Sequence, residues 1–354
     1  MSQPLELTVE LQPRARFDAI DVRERIAELY GNVLSAFHRT LFASHHTTAG
    51  YLEQGLASRL AQRQNGIEHY VDAFRQVFPE GAGYRHDLLD ERTELSDEQR
   101  AVEPRNADSH LTFMAAGLRA CVSYNNHHVP ALFVDLDGVN EGTPRRRFTS
   151  IVGYNEEVLV ARARVAIPVS SHPIDSINLR EPALGIYEQL HEMIRAHDVA
   201  KGRLRLDLAP GERQAGITVN EYETLLMRHD LVDVLRNPLR FMAEKGRHAL
   251  GDPRAIPAKT RDYAKYDLVR LLNRVVDVLG LHESILERAI AKAMAVPAER
   301  LLRMKRSVNL LVSDTASPGV GRIVQGTYQS PILVQWHQAH GRVRHLDVTL
   351  SRLQ

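Results

Sequence analysis

The chain opens with alternating apolar and polar residues over 5–11, which is the period of a half-buried β-strand. Over 19–37 the apolar residues recur at helical spacing, so a helix is predicted there. The short apolar run 40–44 is typical of a buried strand, and Asn106 provides a polar cap for a helix that extends to about 118. Further strands are predicted at 119–124, 131–136 and 145–152.

The same order of elements starts again near Asn155. A strand is predicted at 158–169, a helix at 183–196 and an alternating strand at 202–208. Helical stretches follow at about 222–244 and 262–304, and the chain ends with apolar strand-like runs at 308–313, 321–327, 332–336 and 343–350. The pattern therefore predicts a tandem duplication of one α+β domain, with mostly antiparallel sheets packed with helices. The predicted domains are 1–156 and 157–354.

Composition narrows the class of protein. The 354 residues are 44% hydrophobic and 25% charged, with a net charge of +1, as in an ordinary soluble protein. Neither nucleic acid nor a membrane is expected as a partner. The single cysteine, Cys121, excludes an intrachain disulfide and a multi-thiolate metal site, and it fits a cytoplasmic location. Any metal would need histidine and carboxylate ligands.

Three histidine-containing motifs lie in the first half. They are His46-Thr47-Thr48-Ala49, Tyr84-Arg85-His86-Asp87 and Asn106-Ala107-Asp108-Ser109-His110. The second half carries two different motifs, Asn220-Glu221 and Gly326-Thr327-Tyr328-Gln329. At the place of the histidine motif the second half has Glu212-Arg213-Gln214 before Ala215. Each half therefore holds a different part of one motif set.

These motifs, in this order, resemble those of the YjbQ-type family of secondary thiamine-phosphate synthases. The resemblance covers most of 5–155 and, more loosely, 158–354. The second half lacks the motif histidine and has no counterpart of the Tyr-x-His-Asp and Asp-x-His motifs, and the chain departs from the family pattern in three further places. Leu52-Glu53-Gln54 stands where the Asn-Glu pair is expected, His127-His128-Val129-Pro130 stands for Gly-Thr-Trp-Gln, and Tyr328 replaces the Trp of that motif in the second half.

The resemblance implies trimer-type assembly with sites near subunit boundaries, so we expect a homo-oligomer in which the two domains form a pseudo-symmetric pair. It also implies a single composite site per pair, at which His46, His86 and His110 bind a divalent metal, zinc by ligand type. Asp108, and similarly Asp87, would orient a ligand histidine. The alternative is that all of these are separate polar and capping residues.

The remaining site residues are also implied by the resemblance. Glu221, beside Asn220, is the candidate general acid or base; its alternative is an exposed glutamate at a helix entry. The expected substrate-binding residues are Thr47, Gly326, Thr327, Gln329 and Arg322. A glycine in a turn needs no ligand, however, and most arginines only solvate a strand face, including those at 145–147, 342 and 344.

The implied function is transfer on phosphorylated heterocycles, which joins hydroxymethylpyrimidine diphosphate to thiazole phosphate and releases pyrophosphate. A second class stays open: a non-catalytic oligomeric scaffold, or a small-ligand-binding protein, in which each copy has lost motifs by drift. A second resemblance, of the segment 133–138 to the nucleophile loop of haloacid-dehalogenase phosphatases, is disfavoured. The segment falls where the repeat places a penultimate strand and turn, and no convincing set of a later lysine and paired aspartates follows it.

Overall fold

A computed structural model describes residues 3–125, 129–236, 241 and 304–354. His127, His128, most of the predicted stretch 262–304 and the end of the predicted stretch 222–244 lie outside the described residues. Within the described ranges, no helix combines the length and the apolar character that crossing a bilayer requires.

The first repeat contains strands and helices in mixed order. Its strands are β1 (Leu5–Leu11), β2 (Asp18–Asp21), β3 (Arg39–Ser44), β4 (Ala49–Tyr51), β5 (Cys121–Tyr124), β6 (Leu132–Asp135), β7 (Val139–Asn140), β8 (Thr143–Pro144) and β9 (Arg147–Tyr154). Its helices are α1 (Val22–Tyr30), α2 (Gln54–Ala61), α3 (Gly66–Val77), α4 (Asp97–Arg100) and α5 (Ala107–Ala115).

The second repeat follows the same plan. Its strands are β10 (Glu157–Pro168), β11 (Asp175–Asn178), β12 (Gly202–Leu208), β13 (Ala215–Glu221), β14 (Ser307–Ser313), β15 (Arg322–Val324), β16 (Gln329–Gln335) and β17 (Val343–Leu353). Its described helices are α6 (Ile186–Ala196) and α7 (Leu231–Arg236), and a π-helical turn, Leu226–Asp230, precedes α7.

Strand order shows the duplication directly. The larger sheet has the order β1-β9-β3-β5 in the first repeat and β10-β17-β12-β14-β15 in the second. The smaller sheet has the order β2-β6-β4 in the first and β11-β16-β13 in the second. All of these pairings are antiparallel. The predicted α+β class with two similar antiparallel domains is confirmed.

Pairing registers identify equivalent positions in the two repeats. Ala49 lies opposite Asp135 in the first repeat, and Ala215 lies opposite Gln335 in the second. Asp135 and Gln335 are therefore equivalent. Arg147 and Arg344 are equivalent in the same way, since each lies on the last strand near the end of the pairing with the first strand.

Local differences from the sequence prediction concern short elements. The helix predicted at 19–37 is shorter, because Asp18–Asp21 pairs with β6 as a strand and the Asp21 side chain caps α1 at the amide of Arg23. Gly31, with φ of 68°, ends the helix. Strands such as β4 and β11 are too short to show a period of two, and the sequence did not predict them.

By compactness the described residues form two units that differ from the two repeats. The sheet unit contains 3–57, 117–125, 129–222 and 304–354; the helical unit contains 58–116, 223–236 and Phe241. The helical unit is formed by segments inserted at the same point of each repeat, after β4 and after β13. The predicted boundary between 156 and 157 separates the two repeats and not these two units. It stays a prediction.

The core of the sheet unit contains two clusters of buried apolar residues. The buried side of α6, formed by Ile186, Leu190 and Ile194, belongs to one cluster with residues of β12 and β17 such as Leu204 and Leu350. A second cluster joins the larger sheets of the two repeats, and its members are Leu41, Ala43, Cys121, Val152, Tyr154, Leu311 and Leu353. The two repeats therefore share an apolar interface inside the sheet unit.

Truncating a core residue on β17 tests this packing. Leu350→Ala is expected to lower the free energy of unfolding by about 2–5 kcal/mol, because it removes a fully buried side chain and leaves a cavity. Leu159→Ala on β10 is the control, since Leu159 is 47% exposed; its expected effect is within about 0.5 kcal/mol. Chemical denaturation measures both, and equal effects would contradict the assigned core.

Candidate functional site

The first motif lies in the loop between β3 and β4. Ser44 fastens this loop on both sides: its hydroxyl donates to the carbonyl of Ala49 (2.7 Å) and accepts the amide of His46 (3.2 Å). The amide of His45 donates to the carbonyl of Phe148 on β9. The loop is thus held by its own strand ends and by the final strand of the repeat.

His46 faces the final strand. Its Nε2 accepts the backbone amide of Phe148 at 2.7 Å. Burial and the nearby cations Arg147 and Arg145 lower the pKa of His46 to about 3, so the imidazole is neutral at physiological pH. A neutral ring that accepts at Nε2 carries its proton on Nδ1. In this arrangement the Nε2 lone pair already has a donor.

The buried Arg147 beside His46 has a full set of acceptors. Its guanidinium forms a bidentate pair with Asp135 at 2.7 and 2.9 Å, and it also donates to the carbonyl of Asp137 at 2.5 Å. Asp135 is completely buried, so it belongs to a structural ion pair. This engagement further disfavours the phosphatase-type resemblance of 133–138, in which an aspartate would attack phosphate.

The other two arginines of the triplet are paired as well. Arg145 bonds Asp137, and Arg146 bonds Glu10 at the surface. Their charges are therefore compensated within the sheet unit.

Gln329, which belongs to the second repeat, contacts the loop that carries the first motif. Its side-chain amide donates to the carbonyls of His46 (2.7 Å) and Ser44 (3.0 Å), while its side-chain oxygen accepts the amide of Gly326 (2.9 Å). A Cβ added at Gly326 would lie 1.8 Å from the carbonyl oxygen of His45, so only glycine fits there. The retained motifs of the two repeats therefore meet inside the sheet unit, and Gln329 and Gly326 are explained by packing.

The remaining predicted residues of the sheet unit differ in exposure. Asn220 is fully buried, and its side-chain oxygen accepts the amide of Glu221. Glu221 is half-buried and lies directly opposite Gln329 in the pairing of β13 with β16. Thr47 is half-buried, whereas Thr327 and Arg322 are exposed. Glu221, Thr47, Thr327 and Arg322 are thus the predicted residues that a dissolved ligand can reach.

Arg180 supports the 326–329 turn from outside. Its Nη1 donates to the carbonyls of Thr327 (3.2 Å) and Gln329 (2.5 Å). No sequence pattern points to this residue, because its partners are backbone atoms far along the chain.

The helical unit contains the other two predicted histidines. His86 is fully buried, and its Nδ1 bonds Glu223 at 2.9 Å while its Nε2 bonds the Asn106 side-chain oxygen at 3.2 Å. His110 is also fully buried, with its ring perpendicular to that of His86 at 5.2 Å. The His86–Glu223 pair joins the first repeat to the second across 137 residues of sequence.

Glu223 is a buried carboxylate that the sequence did not single out. Burial raises its pKa, but hydrogen bonds from His86 and from the amides of Leu225 and Leu226 lower the pKa more, and the net direction is down. The sequence analysis names Glu221, which lies two residues earlier in the chain. Glu223 stands just before a helical run, and this position is a signal for it, because an acidic side chain there can accept the free amides of the first turn.

The aspartates of the histidine motifs have local roles in the structure. Asp87 accepts the amide of Ala107 and so caps α5, on whose first turn Asp108 is buried. Asp108 accepts a long hydrogen bond from Ser109. Asp230, from the second repeat, accepts the amides of Arg85 and His86. The motif around His86 is thus fixed through its backbone.

The described residues do not fit a three-histidine zinc site. No group of three His, Cys, Asp or Glu side chains among them is arranged to hold an ion. The reason is that ring nitrogens that would bind zinc already have hydrogen-bond partners. His46 accepts a backbone amide through Nε2, and both ring nitrogens of His86 face hydrogen-bond partners. The zinc site stays a prediction.

No protein-family model and no curated protein matches the chain. Among solved structures, it is similar to a YbjQ-like protein of unknown function from Sulfolobus solfataricus P2, with 15% identity and a TM-score of 0.29, over 56% of this chain and 99% of that one. It is also similar to a YjbQ/UPF0047-family protein from Clostridium acetobutylicum, with 14% identity and a TM-score of 0.27, over 53% and 98%.

A hypothetical protein from Aeropyrum pernix K1 matches at 14% identity and a TM-score of 0.27, over 53% of this chain and 96% of that one. Of these three, the Clostridium acetobutylicum protein carries the name of the YjbQ family, which the motifs of this chain resemble.

Replacing Glu223 tests the buried pair. Glu223→Gln is expected to lower the free energy of unfolding at pH 7 by about 2–4 kcal/mol, because His86 loses a charged acceptor in a buried place. The folded-state pKa of Glu223 lies below its ordinary value of 4.5, so this stability is present above pH 4.5 and is lost as the pH falls through the folded pKa. The difference between wild type and variant should therefore shrink on acidification.

Denaturation at a series of pH values measures that difference. Glu192→Gln on the exposed side of α6 is the matched control, with an expected effect within about 0.5 kcal/mol. A wild-type advantage that did not change between pH 7 and pH 3 would contradict an ionised Glu223.

Proposed function

We propose that the chain is an enzyme with one composite site in its sheet unit, at which it acts on small phosphorylated molecules. The observation that carries the proposal is the contact of Gln329 with the carbonyls of Ser44 and His46. If the two copies had lost motifs independently, there would be no reason for the motif that one repeat keeps to contact the motif that the other repeat keeps.

The accessible polar groups around this contact suit a phosphorylated ligand. Thr47 and Thr327 offer hydroxyl donors, Arg322 offers an exposed positive charge, and Glu221 offers a carboxylate. The buried residues Gln329 and Asn220 hold the backbone from which these groups project. We assign them a positioning role.

The proposed reaction is the family-type transfer. A ring nitrogen of thiazole phosphate attacks the methylene carbon of hydroxymethylpyrimidine diphosphate, a C–N bond forms, and the C–O bond breaks so that pyrophosphate leaves with the bonding electrons. The nucleophile is a neutral aromatic nitrogen, and no proton has to be removed. Glu221 would therefore act through its negative charge beside the developing thiazolium, and Arg322 through its positive charge beside the leaving pyrophosphate.

A specific observation favours the alternative, a scaffold with degenerate sites. His46, Gln329 and Gly326 are accounted for by packing and hydrogen bonding within the fold, and none of them needs a ligand. Under that alternative, the motif residues persist only because the loop requires them.

Activity measurements separate the two functions. Wild-type protein is expected to release pyrophosphate from the two heterocyclic phosphates, and Glu221→Gln is expected to lower kcat/KM about 100-fold. Glu192→Gln is the control and should retain full activity, and circular dichroism checks that each variant is folded. Folded wild-type protein that released no pyrophosphate would support the scaffold.

Metal analysis tests the zinc site that the sequence predicts. With the described hydrogen bonds in place, purified protein is expected to contain zinc well below one equivalent, because the donor atoms of His46 and His86 are engaged. One equivalent of zinc that disappears in a folded His86→Asn variant would instead support the predicted metal site.

The proposal includes assembly and location. We propose a homo-oligomer in the cytoplasm, without nucleic acid or membrane partners, on the basis of the family resemblance, the single cysteine and the balanced charge.

A further inference from the structure

Both repeats bury an arginine at the start of their last strand, but the two arginines are neutralised differently. In the first repeat the anion is Asp135 on β6, which binds Arg147 with both carboxylate oxygens. The loop residue beside Arg147 is the neutral His46. The anion therefore comes from a strand and the loop is neutral.

In the second repeat the position of Asp135 is taken by Gln335, whose side-chain oxygen accepts from Arg344 at 3.3 Å. The anion comes from the loop instead, because Glu212 binds Arg344 at 3.0 Å. Arg344 also donates to the carbonyls of Arg213 and His337. Both members of this pair are largely buried, with side-chain exposures of 5% for Arg344 and 14% for Glu212.

The loop residues share a second contact, and it identifies them as equivalent. His46 accepts the amide of Phe148, the residue after Arg147, at 2.7 Å. Glu212 accepts the amide of His345, the residue after Arg344, at 2.8 Å. Each lies three residues before the alanine that starts the next strand, Ala49 or Ala215.

We infer that Glu212 and Gln335 together replace His46 and Asp135 by a compensated exchange of charge, and that Glu212 positions the second loop as His46 positions the first. A buried guanidinium needs one carboxylate, because an uncompensated charge inside the protein is strongly destabilising. Two carboxylates would add repulsion at the same place. Each of the two arginines binds one carboxylate, which belongs to Asp135 on a strand in the first repeat and to Glu212 in the loop of the second.

The charge exchange predicts that a second substitution restores stability that the first one removes. Asp135→Gln alone leaves Arg147 without an anion and is expected to lower the unfolding midpoint by roughly 5–10 °C. Adding His46→Glu supplies the anion from the loop, as in the second repeat, and is expected to recover at least half of that loss. Differential scanning calorimetry measures both variants, and a double variant no more stable than Asp135→Gln overturns the inference.

The reverse exchange keeps the test independent of whether Asp135→Gln folds. Glu212→His is expected to lower the midpoint, and Glu212→His with Gln335→Asp is expected to restore it and to give the second repeat the residue set of the first. A double variant at or below the midpoint of Glu212→His overturns the inference. Glu192→His, on an exposed helix face, is the control for the new imidazole and should leave the midpoint unchanged.

The exchange also bears on the number of anion sites, a consequence that rests on the proposed function. Glu212 engages the guanidinium of Arg344, so this arginine does not serve a phosphate and we expect only the composite site to bind one. Titration calorimetry with inorganic pyrophosphate is expected to give one equivalent per chain. Two equivalents contradict this consequence. No binding contradicts the proposed function, while the midpoint measurements still decide the charge exchange.

Discussion

A buried arginine at the start of the last strand organises each repeat of the sheet unit. Its guanidinium must be matched by a carboxylate and by carbonyl oxygens, and those acceptors come from the neighbouring strand, the following turn and the motif loop. Meeting this requirement fixes where the loop lies against the final strand. The loop of the first repeat can then receive Gln329, so the contact between the two retained motifs depends on the ion pair beneath it.

This dependence changes the meaning of the motif. His46, Gln329 and Gly326 hold the loop and the turn together, whereas Thr47, Glu221 and Thr327 project from that frame toward solvent. The motif set therefore mixes residues that hold the loop and the turn with residues that remain accessible to solvent. Glu212 shows that the building role can be filled by a different residue type, provided that the arginine is still neutralised elsewhere.

The helical unit also depends on a buried polar pair, which is formed by other residues. Its segments are inserted after β4 in one repeat and after β13 in the other, and the His86–Glu223 pair links them. Two backbone amides and an imidazole make Glu223 a stable anion, and Asp230 fixes the backbone at His86. Residues of the second repeat thus supply buried polar partners to His86 of the first repeat.

The sequence by itself determined the class of fold and the duplication, because alternation over 5–11 and 202–208 and helical spacing over 183–196 are local properties of the chain. It also determined that the motif set is divided between the halves. Only the tertiary structure decided which partners meet. Glu223 rather than Glu221 binds His86, and Glu212 rather than a histidine holds the second loop, since such pairs join residues more than a hundred positions apart. Local spacing carries no information about contacts that strand registers and burial create.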